Sequence, residues 1–135
     1  MSLQFSTSYR NALLDQFETT AGVSAKLEIF TGAVPANCAA AEAGTKLVEF
    51  DLASDWAANA AGGAKALNNL PLTAGAVAAG TAAHFRLYAS DGTTCHMQGT
   101  VTATGGGGDM TVDNTNIANG QQVQITGFTL TAPGA

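Results

Sequence analysis

Charge is scarce in this chain. Only 11% of its 135 residues are Asp, Glu, Lys or Arg, against about 25% in a typical soluble domain. Five basic and ten acidic residues leave a net charge of −5 with no basic cluster, which argues against nucleic acid and anionic membranes as partners. Long apolar runs are missing too: no stretch approaches the roughly 18 residues needed to span a bilayer. The opening Met1-Ser-Leu-Gln-Phe-Ser-Thr-Ser-Tyr-Arg10 has no basic region followed by an apolar one. It does not read as a signal peptide, and the expectation is a protein made in the cytoplasm and kept there or released by lysis. Cysteine is limited to Cys38 and Cys95, too few for a disulfide framework. A bridge between them is open after release from the cell, whereas cytosolic synthesis argues against it.

Ala, Gly and Thr take the place of the missing charge. A domain of this length can bury roughly 70% of its unfolded surface, so the chain reads as one globular unit. Its outside must be small and neutral. Either this is an ordinary Thr/Ala-rich β-domain, or neighbouring subunits cover much of the surface, where charge depletion is expected.

Apolar periodicity predicts one helix, over residues 8–21. Tyr9, Ala12, Leu13, Gln16 and Phe17 fall on one face at helical spacing. Ser6, Thr7 or Ser8 can cap its start and Gly22 can stop it. Residues 1–22 are thus an N-terminal arm and helix, expected to plug one end of a β-domain over 23–135. The best-defined piece of that domain is a hairpin in which two alternating runs flank Ser90-Asp91-Gly92. A three-residue loop would pair Phe85 with Met97 and Leu87 with Cys95, leaving Cys95 a buried thiol on the apolar face and Gly92 in a left-handed position. His84, Arg86, Tyr88, His96 and Gln98 share the polar face. Strands are also expected at 25–31, 46–52, 109–113 and 121–131, the last with a bulge at Gly127, where the apolar phase slips. Residues 32–44 form a long loop of the sort that is usually functional or an interface element. Residues 57–81 hold one or two short strands, with turns at Gly62-Gly63 and Asn68-Asn69, and Gly105 to Gly108 is a flexible turn. About seven short strands punctuated by turn residues predict an all-β fold with one short N-terminal helix, an antiparallel β-sandwich or jelly-roll-like domain.

Motifs that carry chemistry are weak. His84 and His96 lie close enough on the hairpin to share a metal, but no third ligand accompanies them. Asp109, Asp113, Asn114 and Asn116 offer oxygen ligands at a spacing that fits no calcium loop and suits turns better. Glu49 and Asp51 share a strand face, as solvated carboxylates commonly do. Gly105 to Gly108 lacks the Lys-Ser/Thr of a phosphate loop, and no nucleophile stands beside a base. No enzyme, metal or cofactor is expected.

Four stretches carry a resemblance: Phe5-Ser-Thr-Ser-Tyr-Arg-Asn-Ala-Leu-Leu-Asp15, Ile29-Phe-Thr-Gly-Ala-Val-Pro-Ala-Asn-Cys-Ala-Ala-Ala41, Ala83-His-Phe-Arg-Leu-Tyr-Ala-Ser-Asp-Gly-Thr-Thr-Cys-His-Met-Gln-Gly-Thr100 and Gly108-Asp-Met-Thr-Val-Asp-Asn-Thr115. Together they make the chain resemble small virion proteins of tailed bacteriophages and prophages. Among these, capsid decoration (cement) proteins with a β-sandwich or jelly-roll core are the natural match. The resemblance implies a non-enzymatic structural protein of the virion, assembled in the host cytoplasm. It would bind the major capsid protein or another virion protein and form a homo-oligomer, with a trimer favoured. Expected contact residues are Leu3, Phe5, Tyr9, Pro35, Trp56, His84, Arg86 and Tyr88, Trp56 serving either the core or a subunit contact. The alternative is a tail-associated virion protein or glycan-binding module that uses the polar hairpin face.

Overall fold

The helix begins where a serine can close its first turn. In the computed structural model, which describes residues 3–68 and 70–134, α1 runs Thr7–Ala21 and the Tyr9 N–H donates to Ser6 Oγ at 3.1 Å. Gly22 stops it at a positive φ of 84°, its N–H donating back to the Glu18 carbonyl. Met1, Ser2 and the second residue of the Asn68-Asn69 turn lie outside the described residues. The inward face differs from the expected one. Arg10, Leu14 and Ala21 are buried, with Phe17 packed on the core, whereas Tyr9 and Leu13 are 50% and 39% exposed. The shift arises because polar side chains dock this helix. Arg10 donates to the Ala132 carbonyl, Asn11 accepts from the Gly63 N–H, and Asp15 and Glu18 hold Lys65 at 2.9 Å each. A purely apolar periodicity cannot register such a face.

The described residues then form ten strands. These are β1 Lys26–Phe30, β2 Lys46–Asp51, β3 Ala64–Ala66, β4 Leu72–Gly75, β5 Gly80–Thr81, β6 His84–Tyr88, β7 Cys95–Ala103, β8 Met110–Val112, β9 Asn116–Ile117 and β10 Gln122–Thr131. The main sheet has the order β2-β1-β6-β7-β8-β10-β3, with β4 also on β10, while β5 and β9 pair separately. The sheet curls until the Val77 N–H, just past β4, donates to the Leu47 carbonyl of β2 at 2.8 Å. Inside the curl lie Leu27, Ile29, Leu47, Val48, Phe85, Leu87, Met110, Val112, Val123 and Ile125, all at or near zero exposure. Each such side chain contributes about 1.5–3 kcal/mol on burial. An all-β fold with one helix is therefore observed.

The expectation of a wholly antiparallel sheet fails at one place: β7 and β8 are parallel. Parallel neighbours ordinarily need a crossover of a dozen or more residues, yet residues 104–109 suffice here. Glycine makes this possible. Gly105 and Gly107 sit at φ 88° and 82°, and a Cβ on Gly106 or Gly108 would come within 2.8 Å of the Thr102 side chain. The Gly108 N–H donates to Thr102 Oγ1 at 2.9 Å. The glycine run thus makes the return between the two parallel strands. The bulge expected near Gly127 is present, where the β8–β10 register shifts between Ile125 and Gly127.

The hairpin forms with a different register. Phe85 pairs with Gly99 and Leu87 with Met97. Asp91 Oδ1 accepts from the N–H groups of both Thr93 and Thr94, which lengthens the turn and moves every pair by two, so Phe85, Leu87 and Met97 stay on the inner face. A register shift then places Cys95 opposite Tyr88. Cys95 thus joins the Arg86 side of the sheet rather than the apolar face expected for it.

Candidate functional site

Every residue of β6 is buried, including the polar His84, Arg86 and Tyr88. Alternation predicts one wet face, and the cause of its loss is the loop after β1. Residues 32–44 fold across the outer face of β6 and β7 and are fastened there. Arg86 Nη2 donates to the carbonyls of Asn37 and Ala40 at 2.9 and 2.8 Å, and to Gln98 Oε1 at 3.0 Å. Gln98 Nε2 donates to the Pro35 carbonyl at 2.7 Å. One guanidinium therefore ties strand to strand and both to the loop, as its planar fork allows.

His84 completes the fastening. It is 0% exposed and stacks on Phe30 at 5.5 Å. Its Nδ1 faces the Gly32 carbonyl at 2.8 Å, so Nδ1 donates; its Nε2 faces Glu42 Oε1 at 2.7 Å. Glu42 also accepts from the Gly44 N–H at 2.8 Å and lies 3.7 Å from Arg86 Nε. Burial works against the charge on Arg86, but the Tyr88 hydroxyl, Cys95 and Glu42 outweigh it and raise its pKa further. Burial, opposed by Arg86, raises the Tyr88 phenol. Cys38 and Cys95 are both free thiols, and the Cys95 thiol is pushed up to about 11, by burial first and by Cys38 beside it second. Among the described residues no buried side-chain nitrogen or oxygen lacks a partner.

The structure thus separates the expected contact residues. His84, Arg86 and Tyr88 lie under the loop; the reading of that face as a free polar surface is corrected, because the chain's own carbonyls and Glu42 occupy it. Trp56 is in the core, donating from Nε1 to the Gly22 carbonyl at 3.0 Å and meeting Phe17 edge-on. Pro35 is half-buried in the fastened loop. Leu3 is 74% exposed, and the Phe5 and Tyr9 rings meet at a tilt with centroids 4.9 Å apart, with the Phe5 N–H on the Gly134 carbonyl. With Leu13 these give an apolar stripe along the outer side of the arm and helix.

Other candidates have local uses. His84 pairs with Thr100, and His96 lies beyond the register shift, so the two are not brought together. Asp109 binds Thr100, Asp113 accepts from the Gln124 N–H and Asn114 from the Asn116 N–H. Glu49 and Asp51 both hold Lys26, at 3.0 and 2.7 Å. Among the described residues no group of three His, Cys, Asp or Glu side chains has metal-binding geometry. Glu42 was missed by the sequence reading, although it is the one charge in an otherwise uncharged, Ala-rich loop; a lone carboxylate in such a setting is the signal of a buried partner. Lys65, 1% exposed in its side chain, carries the same signal within residues 57–81.

No protein family, curated protein or solved structure matches this chain.

Proposed function

We propose that this chain is a non-enzymatic structural protein of a phage virion, a decoration or cement protein that stabilises the head by bridging major capsid subunits. The observation that carries the reading is the exposed apolar stripe of Leu3, Tyr9 and Leu13, with Phe5 beside it, on a chain whose polar side chains are largely turned to its own fastening. A surface of this kind gains by being covered, and a specific contact of about 1,600 Å² in total repeated across a shell would multiply the gain. The curled sheet is taken, in this proposal, as a jelly-roll-like sandwich module that assembles as a homo-oligomer, a trimer being favoured. A glycan site on the hairpin has less support, since the loop covers the side chains it would use.

Quantitative mass spectrometry of purified particles tests the reading. The expected result is hundreds of copies per particle, and loss of the protein from particles in the L3D/Y9D variant with an unchanged unfolding midpoint. Wild-type chain missing from the particles would overturn the proposal. A few copies confined to the tail would replace it with the tail-associated reading.

A further inference from the structure

The short strand β8 leaves a gap in the sheet. It separates β7 from β10 only along Val101–Ala103 on one side and Ile125–Phe128 on the other. Beyond Met110, β7 continues as Cys95–Thr100 and β10 as Thr129–Thr131, and among the described residues no strand lies between them and neither pairs with the other. Two strands flanking a third stand roughly 9–10 Å apart, twice the normal spacing. The gap is therefore about as wide as one extended chain. A cleft of about 370 Å³ opens there, lined by Phe85, Met97, Gln98, Phe128, Leu130 and the neighbouring threonines, with Asp109 at its end.

Backbone polarity favours the same occupant. Successive N–H and C=O groups of a strand point to opposite edges. The Val101 N–H goes to Ala83, beside β6, so Gln98 and Thr100 point the other way, into the gap. The Thr100 N–H is taken there by Asp109 Oδ2 at 2.9 Å. Across the gap, the Ala132 N–H goes to Gly63, beside β3, so Thr129 and Thr131 also point inward. Phe85, Met97, Phe128 and Leu130 supply an apolar floor between these edges. Since β7 and β10 run antiparallel, an inserted strand would be parallel to one wall and antiparallel to the other whichever way it ran.

We infer that the gap between β7 and β10 is an acceptor slot for an extended strand of another polypeptide chain, which completes the sheet by main-chain hydrogen bonds to Gln98, Thr129 and Thr131 and lays one apolar side chain on the Phe85–Phe128 floor. Strand addition of this kind takes its affinity from backbone bonds and its selectivity from alternate side chains. The acidic chain, with Asp109 at the slot's end, favours an occupant with neutral or basic flanks. The inference stands on sheet geometry and does not depend on the virion reading.

The test is an NMR titration of the full ¹⁵N-labelled chain with a synthetic peptide of alternating Thr and Val ending in Lys. Saturable shifts centred on the Gln98, Thr129 and Thr131 amides are expected. The same peptide N-methylated at alternate residues should fail to bind. T129P, which removes a slot-facing N–H and leaves the Leu130 and Ala132 bonds to β3, should weaken binding several-fold, up to about tenfold. Protection of these amides that grows with protein concentration, without peptide, would overturn the proposed occupant in favour of a second copy of this chain. Equal binding of the methylated peptide, shifts centred elsewhere, no shifts at peptide saturation of the solution, or concentration-independent protection of all three amides in the free chain would each overturn it.

Discussion

The strand β7 has two unlike sides. Towards β6 and β1 the strands are fully paired, and the outer face is roofed by the loop 32–44 through Arg86, Gln98, His84 and Glu42. Towards β8 and β10 the neighbour is three residues long, held in place by glycines packed on Thr102, with an open cleft beyond it. The first side has the residues that look functional and uses them to hold itself together. The second has almost none, and it is where the surface is incomplete. Side chains of conspicuous type are therefore a poor guide to this molecule's working surface. The groups that could act on another chain are main-chain amides and a few exposed apolar side chains.

The largest effect expected from breaking that contrast is at Arg86. Arg86→Ala removes the donors to two loop carbonyls and to Gln98, and takes a cation from beside the His84–Glu42 pair. Removing one partner of a buried charged network typically costs about 3–5 kcal/mol, a large share of a domain's stability. Guanidinium unfolding should show a loss of that size. Cys95 should also become more reactive to iodoacetamide at fixed pH. With its thiol held up to about 11 under the loop, it carries far less reactive thiolate than an ordinary cysteine. A released loop removes the burial and the Cys38 neighbour that raise it, which outweigh the lowering effect of Arg86 that is lost with them. A variant that kept wild-type stability and slow labelling would show that the loop is held by other means.

On the glycine side the expected effect is intermediate. Gly108→Ala places a methyl within 2.8 Å of Thr102 Cγ2 and Oγ1, where the Gly108 N–H already bonds that hydroxyl. Overpacking of this sort costs about 1–3 kcal/mol. The change should also loosen the β7–β8 pairing, read as faster hydrogen exchange at Thr102 and Val112 with little change at Leu27 or Leu87. Uniform loss of protection would mean that the two sides are not energetically distinct.

How much of this was legible differs by element. β10 and its bulge followed from Val123, Ile125, Phe128 and Leu130 changing phase at Gly127, because side-chain alternation is local. The helix's existence followed from its apolar periodicity, its start was narrowed to Ser6, Thr7 or Ser8, and its stop followed from Gly22. The helix's inward face did not, because Arg10, Asp15 and Glu18 dock by partners far away in sequence, at Ala132 and Lys65. The covered hairpin face was illegible for the same reason: alternation reports which side chains share a face, not whether a distant loop lies over it. The parallel return at Gly105 to Gly108 was hidden by a rule that is right for side-chain-bearing residues and relaxed by glycine.

The smallest effect tests whether charge on the sheet's far margin matters at all. Lys26, Lys46 and Glu49 form a ladder across β1 and β2, with Glu49 2.8 Å from Lys46 and 3.0 Å from Lys26. Lys46 first and Lys26 second pull the Glu49 carboxyl down to about 2 from an ordinary 4.5. A depressed carboxyl stabilises the fold above its unfolded value, and the contribution is lost as pH falls from about 4.5 towards 2. Glu28 acts in the opposite sense, since burial raises its pKa and protonation relieves a cost. Raw acid stability therefore mixes the two, and the difference between wild type and Glu49→Gln isolates the ladder. Lys26 and Lys46 are 30% and 41% exposed, so screening should keep that difference to about 1 kcal/mol or less, present at pH 6, vanishing near pH 2 and shrinking with added salt. A difference that grew on acidification would assign the ladder the wrong sign. A difference as large as that at Arg86 would place the strong electrostatics on the open margin of β1–β2 as well as under the loop, and the contrast between roofed and open faces would no longer hold.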